Sequence, residues 1–342
     1  MRVLVTGHKG YIGVILVPLL LERGYDVTGF DSDLFRSCDY GGHPVPIPEI
    51  IKDVRDAEQE DLEGFDAIIH LAGLSNDPLG DLNPSLTERI NFEASERLAR
   101  LARDAGVKRF IFSSSCSNYG ASGDNWLNED SAFNPVTPYG VSKVRVEQAL
   151  SKLARDDFTV TFLRNATAYG VSCRLRFDLV LNNLVAWAVT TGQIYIKSDG
   201  TPWRPIVHIE DISRAFIAVL EADPALVNGE AFNVGRNEDN YRIRDLAQFV
   251  KDTVPGCEVA YAPDAGPDKR CYRVDCSKIL KTLPGFQPRW SAQKGVEELY
   301  QAFTDTPLTL EEFEGDAYQR IAHVKSLLAS GKLSPELRWQ EQ

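Results

Sequence analysis

The chain has 342 residues and a formal net charge of −12, from 49 acidic against 37 basic side chains. That carboxylate surplus argues against a nucleic-acid partner, which needs clustered lysine and arginine that are not outnumbered. The six cysteines fall at no C-x-x-C spacing and stand beside five histidines, so they read as free thiols in a reducing cytosol rather than as disulfides or a metal site.

In chain order, Arg2 to Thr6 reads as a short buried strand, and Gly7-His8-Lys9-Gly10-Tyr11-Ile12-Gly13 turns it into a helix with an apolar face of Ile12, Leu16, Leu19 and Leu20. This is a phosphate-binding turn by spacing. Gly7 permits the tight turn, Gly10 lets the amides of Lys9, Tyr11 and Ile12 approach a pyrophosphate, and Gly13 allows close packing of helix on sheet. Val14 to Leu21 is the longest apolar run, holds Pro18, and is far below the ~20 residues of a membrane span. No basic leader precedes the first strand, so a cytoplasmic protein without a membrane partner is expected.

A second strand, Asp26 to Phe30, ends in Asp31, where a carboxylate would meet the adenosine ribose hydroxyls and repel a 2′-phosphate; that favours NAD over NADP. Arg36, the nearest arginine, lies five residues on. Asp53 and Val54 follow a third short strand and are placed to frame the adenine. A fourth strand, Ala67 to Leu71, leads into Ala72-Gly73, small residues that let the backbone pass close to a cofactor. Asn91 lies on the otherwise apolar face of the next helix, either as a buried polar bridge or as a helix-bending support for the lysine.

Phe110-Ile111-Phe112 then runs into Ser113-Ser114-Ser115-Cys116-Ser117, hydroxyls at a strand's C-terminal end beside the crevice. About two dozen residues later Tyr139-Gly140-Val141-Ser142-Lys143 reads as helix, which puts Tyr139 and Lys143 on one face, one turn apart. A phenol ionises near pH 10, and a neighbouring cation that lowers this by roughly three units, about 4 kcal/mol, would make it a usable base. An acidic Tyr139 is therefore expected.

These residues resemble the extended short-chain dehydrogenase/reductase family, within it the nucleotide-sugar epimerases and dehydratases. The resemblance rests on Thr6-Gly7-x-x-Gly10-x-x-Gly13, Ser115-x-x-x-Tyr119-Gly120 and Pro138-Tyr139-x-x-Ser142-Lys143, and runs to about residue 303. It implies a Rossmann-type doubly wound parallel sheet (α/β) with a smaller C-terminal α/β substrate lobe. NAD is the implied cofactor, a nucleotide diphosphosugar the substrate, and a homodimer the assembly. Residues 1–165 would hold NAD, with 205–235 returning to that domain; 166–204 and 236–310 would form the sugar-nucleotide lobe, and 311–342 a helical tail. Ser115, Tyr139 and Lys143 would be catalytic, with Tyr139 and Lys143 also contacting the cofactor, the lysine at the nicotinamide ribose.

The family's sugar 4,6-dehydratases carry Asp-Glu directly after the catalytic hydroxyl, where this chain has Cys116-Ser117. Dehydration is therefore disfavoured, and an epimerase that returns its hydride, or a 4-dehydrogenase that releases a keto sugar, is expected. Substrate contacts implied by the resemblance are Ser115, Cys116, Ser117, Asn165, Thr167, Asn183 and the diphosphate-binding Arg204, with Arg174, Arg176 and Arg270 as further positive charge. Leu310 to Leu328 reads as one amphipathic helix beyond the family core, covering the lobe or a partner chain.

Overall fold

A computed structural model describes residues 1–266 and 271–340; Asp268 and Arg270 lie outside the described residues. Seven short strands, β1 (Arg2–Thr6), β2 (Asp26–Asp31), β3 (Glu49–Ile51), β4 (Ala67–His70), β5 (Arg109–Ser115), β6 (Thr159–Asn165) and β7 (Ala231–Val234), form one sheet in the order β7-β6-β5-β4-β1-β2-β3. Every pairing in it is parallel. The central strands are apolar in runs because helices cover both faces, so inward and outward side chains alike are buried. This is a Rossmann-type fold.

The strand order reverses between β1 and β4, which opens a crevice at their C-terminal ends. The backbones meet there: Gly7 sits at φ +74°, and a Cβ on it would lie 2.7 Å from the Ala72 nitrogen. Strand β4 ends at His70, one residue before expected, and the Leu71 N–H still bonds the Thr6 carbonyl (3.0 Å).

Three smaller sheets face the crevice side. Trp203–His208 pairs antiparallel with Asn240–Arg242 and parallel with Thr167–Tyr169; Gln193–Ser198 pairs with Glu258–Gly266, and Trp126–Leu127 with Arg273–Val274. The first two share a core with the Val180–Thr191, Ile243–Thr253 and Ala292–Asp305 helices, whereas Leu127 and Val274 pack with Cys116 and Tyr119 in a small separate cluster.

The tail corrects the sequence reading: it forms two helices, Leu310–Glu314 and Arg320–Ala329, not one. Its apolar residues serve two separate cores. Phe313 and Tyr318 pack with Tyr40 and Phe177 in the lobe, whereas Val324 and Leu327 pack with Leu74, Leu79, Leu86 and Ile90 on the sheet side. One straight helix could not reach both. The connector is held by the Tyr318 carbonyl, which accepts the Phe177 N–H (3.1 Å). Beyond Ala329 the chain turns back, and the Trp339 indole N–H bonds the Ser32 carbonyl (2.7 Å). The tail thus lies against both the lobe core and the loop after β2.

Candidate active site

A cleft of about 850 Å³ runs along the C-terminal edge of the sheet. Its floor begins with the glycine turn. A Cβ at Gly13 would lie 2.5 Å from the carbonyl oxygens of Gly7 and His8, so only glycine lets the Gly13–Glu22 helix start this close to β1. The Val14, Ile15 and Leu16 N–H groups are taken by the Gly10 and Ile12 carbonyls, and the turn before them, at the positive end of the helix, forms a cradle suited to an anion. Lys9, Gly10, Tyr11 and Ile12 all line it. The Tyr11 hydroxyl turns inward, donating to the Gly170 carbonyl (2.7 Å).

Asp31 ends β2 in the same cleft, its two oxygens accepting the N–H groups of Lys9 (3.0 Å) and Asp33 (2.9 Å). Burial pushes its carboxyl above the ordinary carboxylate range. Asp53 and Val54 line the cleft too, but the Asp53 carboxylate is clamped by Arg55, through Nε (2.9 Å) and Nη2 (2.6 Å). Leu71, Ala72 and Gly73 form the opposite lip. Asn91 is a polar bridge, and it also sits in a π-helical turn, Glu88–Glu93, where the helix is locally widened. Its Oδ1 accepts the Leu74 N–H (2.7 Å), and its Nδ2 donates to the Leu74 carbonyl (3.0 Å) and the Ser142 hydroxyl (3.2 Å). Asn91 therefore holds the lip rather than bonding Lys143.

Thr137 caps the Pro138–Leu150 helix by accepting the Gly140 N–H (3.1 Å) and donates its own proton to Asp77 (2.7 Å). Tyr139 and Lys143 then share one face of that helix, as the spacing predicts. Lys143 is buried, donating to the Ser113 carbonyl (2.7 Å), with its nitrogen 4.5 Å from the Phe112 ring centroid and 5.7 Å from that of Tyr139. Burial draws the ammonium down to about 8, against the pull of Glu147 one turn on.

The expectation of an acidic Tyr139 is overturned for the protein without ligands. Tyr139 is half-buried by surface, but the cleft walls crowd its hydroxyl, and this desolvation pushes the phenol up to about 12; a hydrogen bond with Ser115 pulls the other way. Lys143 is too far away and too fully engaged with Ser113 to reverse it. Ser115 itself accepts from the Ser117 N–H (3.1 Å) and the Ser117 hydroxyl (2.8 Å).

Asn165, Thr167, Arg176, Asn183 and Arg204 also line the cleft. Asn165 donates to the Ser113 hydroxyl (3.1 Å) and keeps its Oδ1 buried without a partner. Arg176 is paired with Asp178, and Asn183 donates to the Phe177 carbonyl (2.9 Å).

Two expected substrate contacts are corrected. Cys116 is fully buried with its thiol on the Arg164 carbonyl (3.1 Å), because the turn after β5 sends alternate side chains into the sheet; Ser117 lines the cleft in its place. Arg174 turns to the loop after β2, bonding the Phe35 carbonyl and pairing with Asp39 (3.0 Å).

Some residues of the site carried no local signal. Arg320 and Leu337 of the tail line the cleft although they are more than 170 residues from Tyr139 in sequence. Glu147, four residues after Lys143 on the same buried face, was findable from its spacing.

The family model for the NAD dependent epimerase/dehydratase family matches residues 3–235. The chain belongs to that family. It is accordingly an NAD-dependent enzyme, and the glycine cradle and Asp31 fit the dinucleotide. Among its relatives, the UDP-glucose 4-epimerase of Corynebacterium glutamicum is 28% identical over 320 residues, covering 89% of this chain and 96% of that one. Among solved structures, MoeE5 in complex with UDP-glucuronic acid and NAD superposes with a TM-score of 0.76 at 27% identity, over 89% of this chain and 99% of that one. UDP-glucose 4-epimerase with UDP-glucose from Thermotoga maritima gives 0.77 at 25% identity, over 90% and 99%. Among the described residues no helix is long and apolar enough to cross a membrane.

Proposed function

We propose that the enzyme is an epimerase of a nucleotide diphosphosugar, inverting C4 through a transient 4-keto sugar. The observation that carries this reading is that Ser115, Tyr139 and Lys143 line the same cleft as the glycine turn, while Cys116, where a dehydratase would carry its acid, is buried away from it. The UDP-sugars named for the relatives agree with the substrate class.

NAD, when bound, would supply a hydride acceptor at C4, able to give the hydride back to the keto sugar's other face with no net redox change, and a positively charged ring. Tyr139 takes the C4 hydroxyl proton. Ser115, whose oxygen accepts twice from Ser117 and whose proton is directed at Tyr139 in the ligand-free protein, can turn that proton to the reacting oxygen. Lys143 keeps a cation next to the phenolate as it forms, held in place by the Ser113 carbonyl. Asn165, with an unpartnered buried oxygen beside Ser113, offers an acceptor for a sugar hydroxyl.

Tyr139→Phe is expected to lower turnover by about 10²- to 10⁴-fold while leaving NAD affinity within twofold. The assay is incubation with UDP-sugars, following the diastereomer by NMR and NADH by absorbance. Turnover retained by the phenylalanine enzyme would remove Tyr139 from the mechanism, and steady NADH accumulation by the wild type would replace epimerisation with release of the keto sugar. The functional unit is proposed to be a homodimer in the cytoplasm, formed through the helices that carry Asn91 and Tyr139; a single-chain mass in sedimentation equilibrium would exclude the dimer.

A further inference from the structure

The cations around the cofactor end of the cleft are almost all spent on neighbouring carboxylates. Lys9 pairs with Asp33 (3.0 Å) and Glu49 (2.7 Å), Arg176 with Asp178, and Arg174 with Asp39 (3.0 Å). Arg320 differs. It is 2% exposed, lines the cleft, and has no carboxylate partner among the described residues. One terminal nitrogen donates to the Arg174 carbonyl (2.9 Å); the other, Nη1, is buried with no hydrogen-bond partner. The guanidinium carbon sits over Phe35, 3.9 Å from the ring centroid. Burial, together with Arg176, draws it down to about 10, the direction expected of a cation without its counter-ion.

A buried, unpaired guanidinium is costly to the fold. Its retention on the wall of a ligand cleft calls for an anion that arrives with the ligand. The forked donor set of arginine matches a phosphate oxygen pair.

We infer that Arg320, contributed by the C-terminal tail, is a binding residue for a diphosphate held in the cleft. The inference rests on the dinucleotide and sugar-nucleotide reading above, both of whose ligands carry that group. Its position favours the dinucleotide's. Phe35, under the guanidinium, belongs to the loop that follows Asp31, and the same loop is clasped by the rest of the tail: His323 bonds the Leu34 carbonyl (3.2 Å), Trp339 bonds the Ser32 carbonyl, and Arg36 stacks on the Trp339 ring (3.8 Å). Tail and loop thus make one wall, and a diphosphate bridging that wall to the glycine turn would tie both to the cofactor. An enzyme that must keep its reduced cofactor until the hydride returns gains from such a clasp.

The test is titration of the full-length protein, stripped of nucleotide, with NAD, ADP-ribose, adenosine and UDP by calorimetry. Arg320→Gln is expected to weaken NAD and ADP-ribose by ~10- to 100-fold, as for loss of a charged hydrogen-bond donor, with adenosine and UDP within twofold. Loss confined to UDP would assign Arg320 to the sugar nucleotide's diphosphate instead. Unchanged affinity for all four ligands would overturn the inference. The melting temperature of the unliganded variant should be no lower than wild type, with a smaller rise on adding NAD; a lower melting temperature together with unchanged NAD affinity would make Arg320 purely structural. Should the glutamine variant not fold, Arg320→Lys keeps a cation without the fork and is expected to weaken NAD by ~3- to 10-fold, and parity with wild type would again overturn the inference. If wild-type protein itself failed to bind NAD, the cofactor reading would fall rather than this one.

Discussion

The Arg164–Glu147 pair beneath the cleft and the two cations Lys143 and Arg320 on its wall are buried alike, and the fold treats them in opposite ways. Under β5, Arg164 grips both oxygens of Glu147 (2.7 and 3.1 Å), Glu147 also accepts from Asn118 (2.9 Å) and Ser114, and Arg164 reaches Tyr119 (2.9 Å) and the Glu129 carbonyl (2.9 Å). Tyr119 passes its proton to Asn233 on β7 (2.8 Å). Although burial acts to lower it, Glu147 holds the Arg164 guanidinium above its ordinary range. On the wall, Lys143 and Arg320 are drawn below theirs, with carbonyls as their hydrogen-bond acceptors. Lys143 and Glu147 sit one turn apart on the same helix. Paired charge fixes the shape of the floor, and underpaired charge on the wall is held ready for a ligand.

The sharpest way to break this contrast is at Glu147. Glu147→Ala leaves Arg164 buried and unpaired, and is expected to cost about 3–5 kcal/mol of stability by chemical denaturation. A loss below about 1 kcal/mol would show that the floor does not depend on the pair.

Lys143→Met is expected to have the smaller effect on stability and the opposite pH signature. The folded ammonium loses its proton near pH 8, the unfolded one near 10.5. Between those values the unfolded state holds more protons, so the stability of the ligand-free wild type receives an upward contribution from Lys143 as pH rises. Below pH 8 the full penalty of the buried cation remains. The methionine variant should lack that contribution and be no less stable than wild type at pH 7, while losing turnover. A variant markedly less stable at pH 7, with an unchanged slope between pH 8 and 10.5, would place Lys143 with the floor. Denaturation series across pH 7–10.5 on both proteins decide it.

Much of the cleft was legible in the linear chain because its motifs are local. The glycine turn, Asp31 at a strand end, Ser115 at another and the one-turn spacing of Tyr139 and Lys143 each need only a few neighbouring residues to define their geometry. The failures share a cause. Tyr139 was expected to be acidic because spacing alone places Lys143 nearby, but desolvation depends on what closes over the phenol, and that comes from other elements. Cys116 was assigned to the substrate because it follows Ser115, yet the turn after β5 sends it inward. Leu310 to Leu328 kept a helical period although its apolar residues dock on two different cores.

Backbone geometry and strand-end chemistry were thus determined by short stretches of sequence, since steric limits on glycine and the pitch of a helix act over a few residues. Tertiary structure alone decided which charges found partners. Arg164 met Glu147 because β6 lies beside β5 and under the Pro138–Leu150 helix, whereas Arg320 reached the cleft because the tail folds back across the loop after β2. Pairing and desolvation depend on surroundings assembled from distant parts of the chain, and no local pattern contains them.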